Sequence, residues 1–148
     1  MVHYITCDLF DAPAEFYCHQ VNCQGVMGAG LARTIRVKYP QVFEKYKIYC
    51  INHSYSSRML GAVQAVQITD NKYVVNIFGQ YRFGTERRHT DYEAIRRACT
   101  VLNARCKGHS FAIPYKMGCG LGGGDWTVIE HIINDSFSDC TVYICKRA

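Results

Sequence analysis

Two glycine-rich segments, each placed between a strand pattern and a helix pattern, restrict the fold of this 148-residue chain more than any other feature. The first reads Val21-Asn-Cys-Gln-Gly-Val-Met-Gly-Ala-Gly-Leu-Ala32 and the second Pro114-Tyr-Lys-Met-Gly-Cys-Gly-Leu-Gly-Gly-Gly-Asp-Trp126. A strand that turns through glycines into a helix leaves the helix's first N–H groups unpaired and aimed along the positive end of its dipole, which suits an anion. Glycine also lets the backbone come close to a phosphate. Two such loops from different strands could clasp a diphosphate from both sides, although either loop alone could be no more than a tight turn. Neither is a known nucleotide loop. Gly25, Gly28 and Gly30 do not give G-x-G-x-x-G, and the second segment lacks the Gly-Lys-Ser/Thr of a P-loop.

Around these loops, alternating apolar and β-branched runs predict strands over 2–7, 15–22, 62–69, 73–78, 111–115 and 140–145. Residues 29–39 and 41–50 read as helices, with Pro40 ending the first. Asp70-Asn71 reads as a hairpin turn. Thr90 or Asp91 should cap a long helix to about Lys107, and 125–137 should be the last helix. The order β-β-α-β-β-α-β-α-β, with one hairpin breaking the alternation, points to a single α/β domain. We expect three layers, α/β/α, around a mixed, mostly parallel sheet.

Composition narrows the function classes. A net charge of +5, densest at Arg82, Arg87, Arg88 and His89, suits an anionic ligand without forming a basic arm. Nine cysteines are present without a C-x-x-C pair, so neither a zinc site nor a redox motif is indicated and no cofactor is expected. Several of them sit in apolar runs, as Cys145 does, where cysteine acts as a small hydrophobe. No signal-like start and no apolar run near the roughly 20 residues of a membrane span occurs. The expectation is a monomer with free thiols in a reducing cytoplasm.

With these segments in view, the chain resembles the macrodomain family over essentially its whole length. The stretch from Val21 to Ala32 is similar to that family's first ligand loop, and Met117 to Trp126 resembles its diphosphate loop. Thr6-Cys-Asp-Leu-Phe10 resembles its Gly-Asp-Leu/Ile start, with Cys7 where glycine is usual. The Gly-Val-Met-Gly-Ala-Gly and Gly-Cys-Gly-Leu stretches point to the branch of terminal ADP-ribose glycohydrolases and ADP-ribose 1''-phosphate phosphatases.

The resemblance implies binding of ADP-ribose and hydrolysis of a bond at its terminal ribose. The alternative is a module that binds ADP-ribose without turnover. Nucleic acid enters only as a possible carrier of the ADP-ribosyl group. By the same resemblance, Asp8 accepts from the adenine amino group and the Leu9 backbone reads the adenine edge. Gly28, Ala29 and Gly30 line the phosphates and distal ribose, and Gly118, Cys119, Gly120, Leu121, Gly122 and Gly123 wrap the diphosphate. Asn22 faces the distal ribose.

Two departures bear on mechanism. Gln80 falls near the position where the glycohydrolase branch carries its attacking lysine, and Gly122 stands where that branch places an aspartate. An amide forms no Schiff base and takes no proton at neutral pH. The candidate catalytic set is therefore Asn22, Gln80 and Asp125. Asp125 is read either as a helix N-cap or as a base that activates water. Asp91 is read first as a cap, His89 as a solvated loop histidine, His19 as a core or edge histidine, and Cys23 and Cys119 as packing residues rather than nucleophiles. Arg82, Arg87 and Arg88 are either a solvated cluster or a grip on a phosphate or on the modified partner.

Overall fold

The computed structural model describes residues 1–84 and 86–148. Its elements are β1 (Val2–Thr6), β2 (Phe16–Val21), α1 (Gly30–Lys38), α2 (Pro40–Asn52), β3 (Val63–Thr69), β4 (Lys72–Phe78), α3 (Tyr92–Arg105), β5 (Ser110–Pro114), α4 (Trp126–Ser136) and β6 (Thr141–Lys146). The expected elements are present with ends moved by a residue or two. Pro40 opens α2 rather than merely closing α1, because a residue without an N–H loses nothing in a helix's first turn. Two short 3-10 turns, Leu9–Asp11 and Ser57–Met59, were not anticipated, since three residues carry no periodicity.

The sheet order is β1-β6-β5-β2-β4-β3. All neighbours are parallel except β3, which pairs antiparallel with β4 through the Asp70-Asn71 turn. Side chains alternate across the sheet. Cys18, Val75, Ile77, Phe111, Ile113, Val142 and Ile144 pack with Ile95, Ala98, Leu102, Ile129 and Ile133 of α3 and α4. On the other face Val21, Val66, Val74 and Phe78 meet Ile35, Val42, Tyr46 and Cys50 of α1 and α2. These two cores make the three-layer α/β/α sandwich. β5 and β6 are apolar on both faces because helices or the N-terminal segment cover each side.

One polar row crosses this interior. His19 of β2 donates from Nε2 to Asn76 Oδ1 of β4 at 2.6 Å, and Asn76 Nδ2 donates to Gln64 Oε1 of β3 at 3.0 Å. Burial disfavours the imidazolium, so the His19 pKa falls from 6.5 to about 4 and the ring is neutral. It is the core histidine that the strand pattern suggested.

The parallel strands end on one side of the sheet, at Thr6, Val21, Phe78, Pro114 and Lys146. Both glycine loops leave from that edge. In open α/β sheets ligands bind at this carboxyl edge, where the loops diverge.

Candidate functional site

Two cavities lie along the carboxyl edge. The larger, about 770 Å3, has Asp8, Leu9, Phe10 and Asp11 after β1 on one wall, with Pro114, Tyr115, Cys145, Lys146 and Arg147 after β5 and β6 on another. Gly30, Leu31, Thr34 and Lys38 of α1 close it. The smaller, about 370 Å3, is lined by Gln20, Val21, Asn22, Val26, Gly28, Ala29, Ala32, Gln80, Phe83, Gly84 and Leu121. The N-terminus of α1 separates them, presenting Gly30 and Leu31 to one and Gly28, Ala29 and Ala32 to the other. That helix has no acidic residue in its first turn to neutralise its dipole.

The first loop is shaped by Asn22. Its Nδ2 donates to Val26 O at 2.9 Å, and its Oδ1 accepts from Gln24 N at 2.9 Å and from the buried Tyr46 hydroxyl at 2.7 Å. Asn22 therefore holds the turn that aims Gly28 and Ala29, with one amide proton left over.

The second loop is tied to the segment that follows β4. Gly122 O accepts from His89 N and Thr90 N at 2.8 and 3.1 Å, and the Thr90 hydroxyl donates to Gly118 O at 2.6 Å. A Cβ at Gly122 would lie 2.5 Å from Thr90 Oγ1 and 2.8 Å from Gly118 O, so this position admits no side chain. Gly123 (φ +71°) completes the turn in the left-handed region. The N–H groups of Gly118, Gly120, Leu121 and Gly122 donate to no protein acceptor among the described residues.

Gln80 is tied to β2 and to its own segment. Its Nε2 donates to Arg82 O at 2.6 Å, and its Oε1 accepts from Gln20 Nε2 at 2.6 Å. Gln20, a residue that the sequence did not mark, also donates to Thr90 Oγ1 at 2.9 Å. It escaped notice because a glutamine two residues before a strand end reads as an ordinary polar position.

The candidate residues thus separate. Asp8, Leu9 and Gly30 line the larger cavity, and Asn22, Gly28, Ala29, Gln80 and Leu121 line the smaller. Gly118, Cys119, Gly120, Gly122 and Gly123 form the body of the second loop and line neither cavity. Asp125 also lines neither cavity. Its carboxylate caps α4, accepting from Thr127 N at 2.9 Å, while its own N–H donates to Tyr92 OH. The glycines before it carry the chain away from the cavity, so the helix start and the pocket do not coincide.

Asp91 is a cap, accepting from Ala94 N at 3.0 Å. His89 is buried rather than solvated, because the backbone bonds to Gly122 fold its segment under the second loop; its Nε2 meets Glu86 Oε1 at 3.0 Å. Arg82, Arg87 and Arg88 are exposed, with Arg88 over the Tyr92 ring. Burial raises the thiol pKa of Cys119, and that of Cys23 to about 12, the reverse of what a nucleophile needs. Among the described residues no group of His, Cys, Asp and Glu could hold a metal ion.

Among the described residues, none of the side chains lining the smaller cavity is ionisable. This wall can hydrogen-bond, exclude water and stabilise charge through amide dipoles, but it cannot itself exchange a proton at neutral pH.

The Macro domain family model matches residues 18–133, from the second residue pair of β2 to the middle of α4. The chain belongs to the Macro domain family. This macro domain is 29% identical over 141 residues to a DNA ADP-ribosyl glycohydrolase of Mycobacterium tuberculosis, covering 93% of the chain but only 39% of that relative. Over 56 residues it is 36% identical to an ADP-ribose 1''-phosphate phosphatase of Scheffersomyces stipitis, covering 34% of this chain and 32% of the phosphatase. A crystal structure of a Bacteroides thetaiotaomicron protein superposes on it over 99% of both chains with a TM-score of 0.85 at 25% identity. No helix among the described residues is long and apolar enough to cross a membrane.

Proposed function

We propose that this macro domain binds ADP-ribose along its carboxyl edge and hydrolyses a bond at C1'' of the terminal ribose. The observation that carries the reading is the α1 N-terminus, free of acidic residues in its first turn and set between two cavities, with Leu121 of the second loop lining the smaller one beside Gly28 and Ala29. A diphosphate placed there puts a base in the larger cavity and a ribose in the smaller. On this reading Asp8 accepts from the adenine amino group, and the Leu9 backbone lies along the base. Gly28 to Gly30 and Gly118 to Gly123 hold the diphosphate, and Asn22 and Gln80 meet the distal ribose. Relatives named for ADP-ribosyl glycohydrolase and ADP-ribose 1''-phosphate phosphatase activities support it.

The neutral wall restricts the chemistry. The leaving group must depart without a proton from the protein, and phosphate at C1'' meets that condition. The C1''–O bond breaks with its electron pair going to phosphate, the oxygen of water bonds to C1'', and the water proton passes to the phosphate. Amide oxygens of the wall stabilise the positive charge that develops on the ribose. ADP-ribose 1''-phosphate is accordingly our first substrate, and an ADP-ribosylated protein or nucleic acid the second. We place the domain, as a monomer, in a reducing cytoplasm, in line with its nine free cysteines.

The test is chromatography of ADP-ribose 1''-phosphate incubated with the protein in oxygen-18 water. We expect ADP-ribose and phosphate as products, with no label in the phosphate. Label in the phosphate would place cleavage at phosphorus and refute the mechanism. The lack of any ionisable side chain on the smaller cavity also favours a second reading, a binding module without turnover. Tight ADP-ribose binding with no product would decide for that module.

A further inference from the structure

We infer that Gln20 is a positioning residue for the distal ribose, acting through Gln80 and Thr90; the inference rests on the reading that the smaller cavity takes that ribose. Two backbone carbonyls fix the direction of every hydrogen bond in the cluster. Arg82 O accepts from Gln80 Nε2 at 2.6 Å, so the Gln80 amide must turn its Oε1 toward Gln20. Gly118 O accepts the only proton of the Thr90 hydroxyl at 2.6 Å, so Thr90 Oγ1 can only accept from Gln20. Both acceptors are met by the two protons of one amide, Gln20 Nε2, at 2.6 and 2.9 Å.

The orientation of Gln20 is held from its other side as well. Its Oε1 is buried without a hydrogen-bond partner among the described residues. It sits where a Cβ on Gly79 would come within 2.5 Å and a Cβ on Gly118 within 2.7 Å. Two glycines in separate loops thus make room for this one oxygen. A buried amide oxygen without a partner is unfavourable, and the Gln20 amide keeps this orientation because both of its protons are taken by Gln80 and Thr90. Gln80 is left with one Nε2 proton and one lone pair for a ligand, both in a fixed direction. Gln20 also links β2 to the segment after β4 and, through Thr90, to the second loop. These are three of the pieces whose residues wall the smaller cavity.

Calorimetric titration of wild type and Gln20→Met with ADP-ribose and with ADP tests this, since ADP lacks the distal ribose. Methionine keeps the length and removes both donors. We expect ADP-ribose affinity to fall about tenfold, as for one or two lost hydrogen bonds, and ADP affinity to stay within about twofold. Adding Gln20→Met to Gln80→Met should cost less than Gln20→Met costs alone, because part of its effect runs through Gln80. Equal weakening of both ligands, unchanged ADP-ribose affinity, or additive losses in the double variant would each overturn the inference.

Gln20→Glu is a second, isosteric probe should methionine prevent folding. An ionised carboxylate opposes Gln80 Oε1 and Thr90 Oγ1, whereas a protonated one restores a donor. The ratio of ADP-ribose to ADP affinity should therefore recover as pH falls through the carboxyl pKa, and a ratio that ignores pH would count against the proposal. Failure of wild type to bind ADP-ribose removes the binding reading itself. Wild-type binding with an unselective loss in the variants removes only the role of Gln20.

Discussion

The larger cavity is rimmed by Asp8, Asp11, Lys38, Lys146 and Arg147, whereas the smaller, less than half its volume, is walled by amides, apolar side chains and glycine. Both open on the same helix terminus. At the larger end, Asp8 accepts from Arg147, whose Nε lies 3.1 Å from its carboxylate, and both side chains are largely exposed. An exposed pair of this kind contributes little to stability and is readily re-partnered by a ligand. At the smaller end every polar group is locked by a neighbour: Asn22 by its own turn, and Gln80 by Gln20 and the Arg82 carbonyl. On the proposed reading the charged end selects, the neutral end positions, and any proton that moves during reaction comes from the ligand or from water.

The largest effect should come from restoring a side chain at Gly122, which attacks the neutral end through its framework. Gly122→Ala forces a Cβ to 2.5 Å from Thr90 Oγ1. Overpacking of this kind costs about 3 kcal/mol of stability, and because the second loop must shift to relieve it, ADP-ribose affinity by calorimetry should fall by more than in any other variant. An alanine variant that binds like wild type would show that the second loop has slack. Gly122→Asp should lose binding as well, and so should not recover a carboxylate-assisted reaction.

The interior behind the neutral end should report its own dislike of charge. The His19 pKa falls from 6.5 in the unfolded chain to about 4 in the fold. The unfolded state therefore gains a proton first as pH drops. The stability that His19 contributes in its neutral form is complete above pH 6.5 and is lost between pH 6.5 and about 4. The loss should approach about 3 kcal/mol, read as a falling urea midpoint. His19→Gln should flatten that part of the slope, and a variant with the wild-type slope would place the titration elsewhere.

Smaller effects separate the two ends. Asp8→Asn exchanges an acceptor for an amide at the charged end. It should weaken ADP and ADP-ribose alike, by about tenfold, whereas the Gln20 and Gln80 variants act on ADP-ribose alone. A ligand-selective loss in Asp8→Asn would reverse the assignment of the cavities. Asp125→Ala should be the mildest, costing about 1 kcal/mol of stability through the lost N-cap with turnover of ADP-ribose 1''-phosphate unchanged. A large loss of turnover in that variant would return Asp125 to the reacting centre.

The layers, the mixed sheet, both glycine loops and the caps at Asp91 and Asp125 could be read from local patterns, because strand alternation, helix periodicity and capping are all short-range. The roles expected of Asp8 and Asn22 came from the family resemblance and not from local pattern. What local pattern could not carry was how the two loops meet. The Gln20–Gln80–Thr90–Gly118 chain joins residues 60, 70 and 28 positions apart. Gly122 looks like any loop glycine until Thr90 is brought against it. His89 reads as solvated because only the backbone bonds to Gly122 bury it. Asp125 is the cap that one of its two readings expects, accepting from Thr127 N.

The measurement that bears hardest on this account is paired calorimetric titration of the wild-type protein with ADP-ribose and ADP in one buffer. The account predicts that both bind and that ADP-ribose binds more tightly, by about tenfold or more for the hydrogen bonds that the fixed amides offer the distal ribose. Equal affinities would mean that the smaller cavity takes no ribose, and no binding of either ligand to the folded protein would contradict the account as a whole.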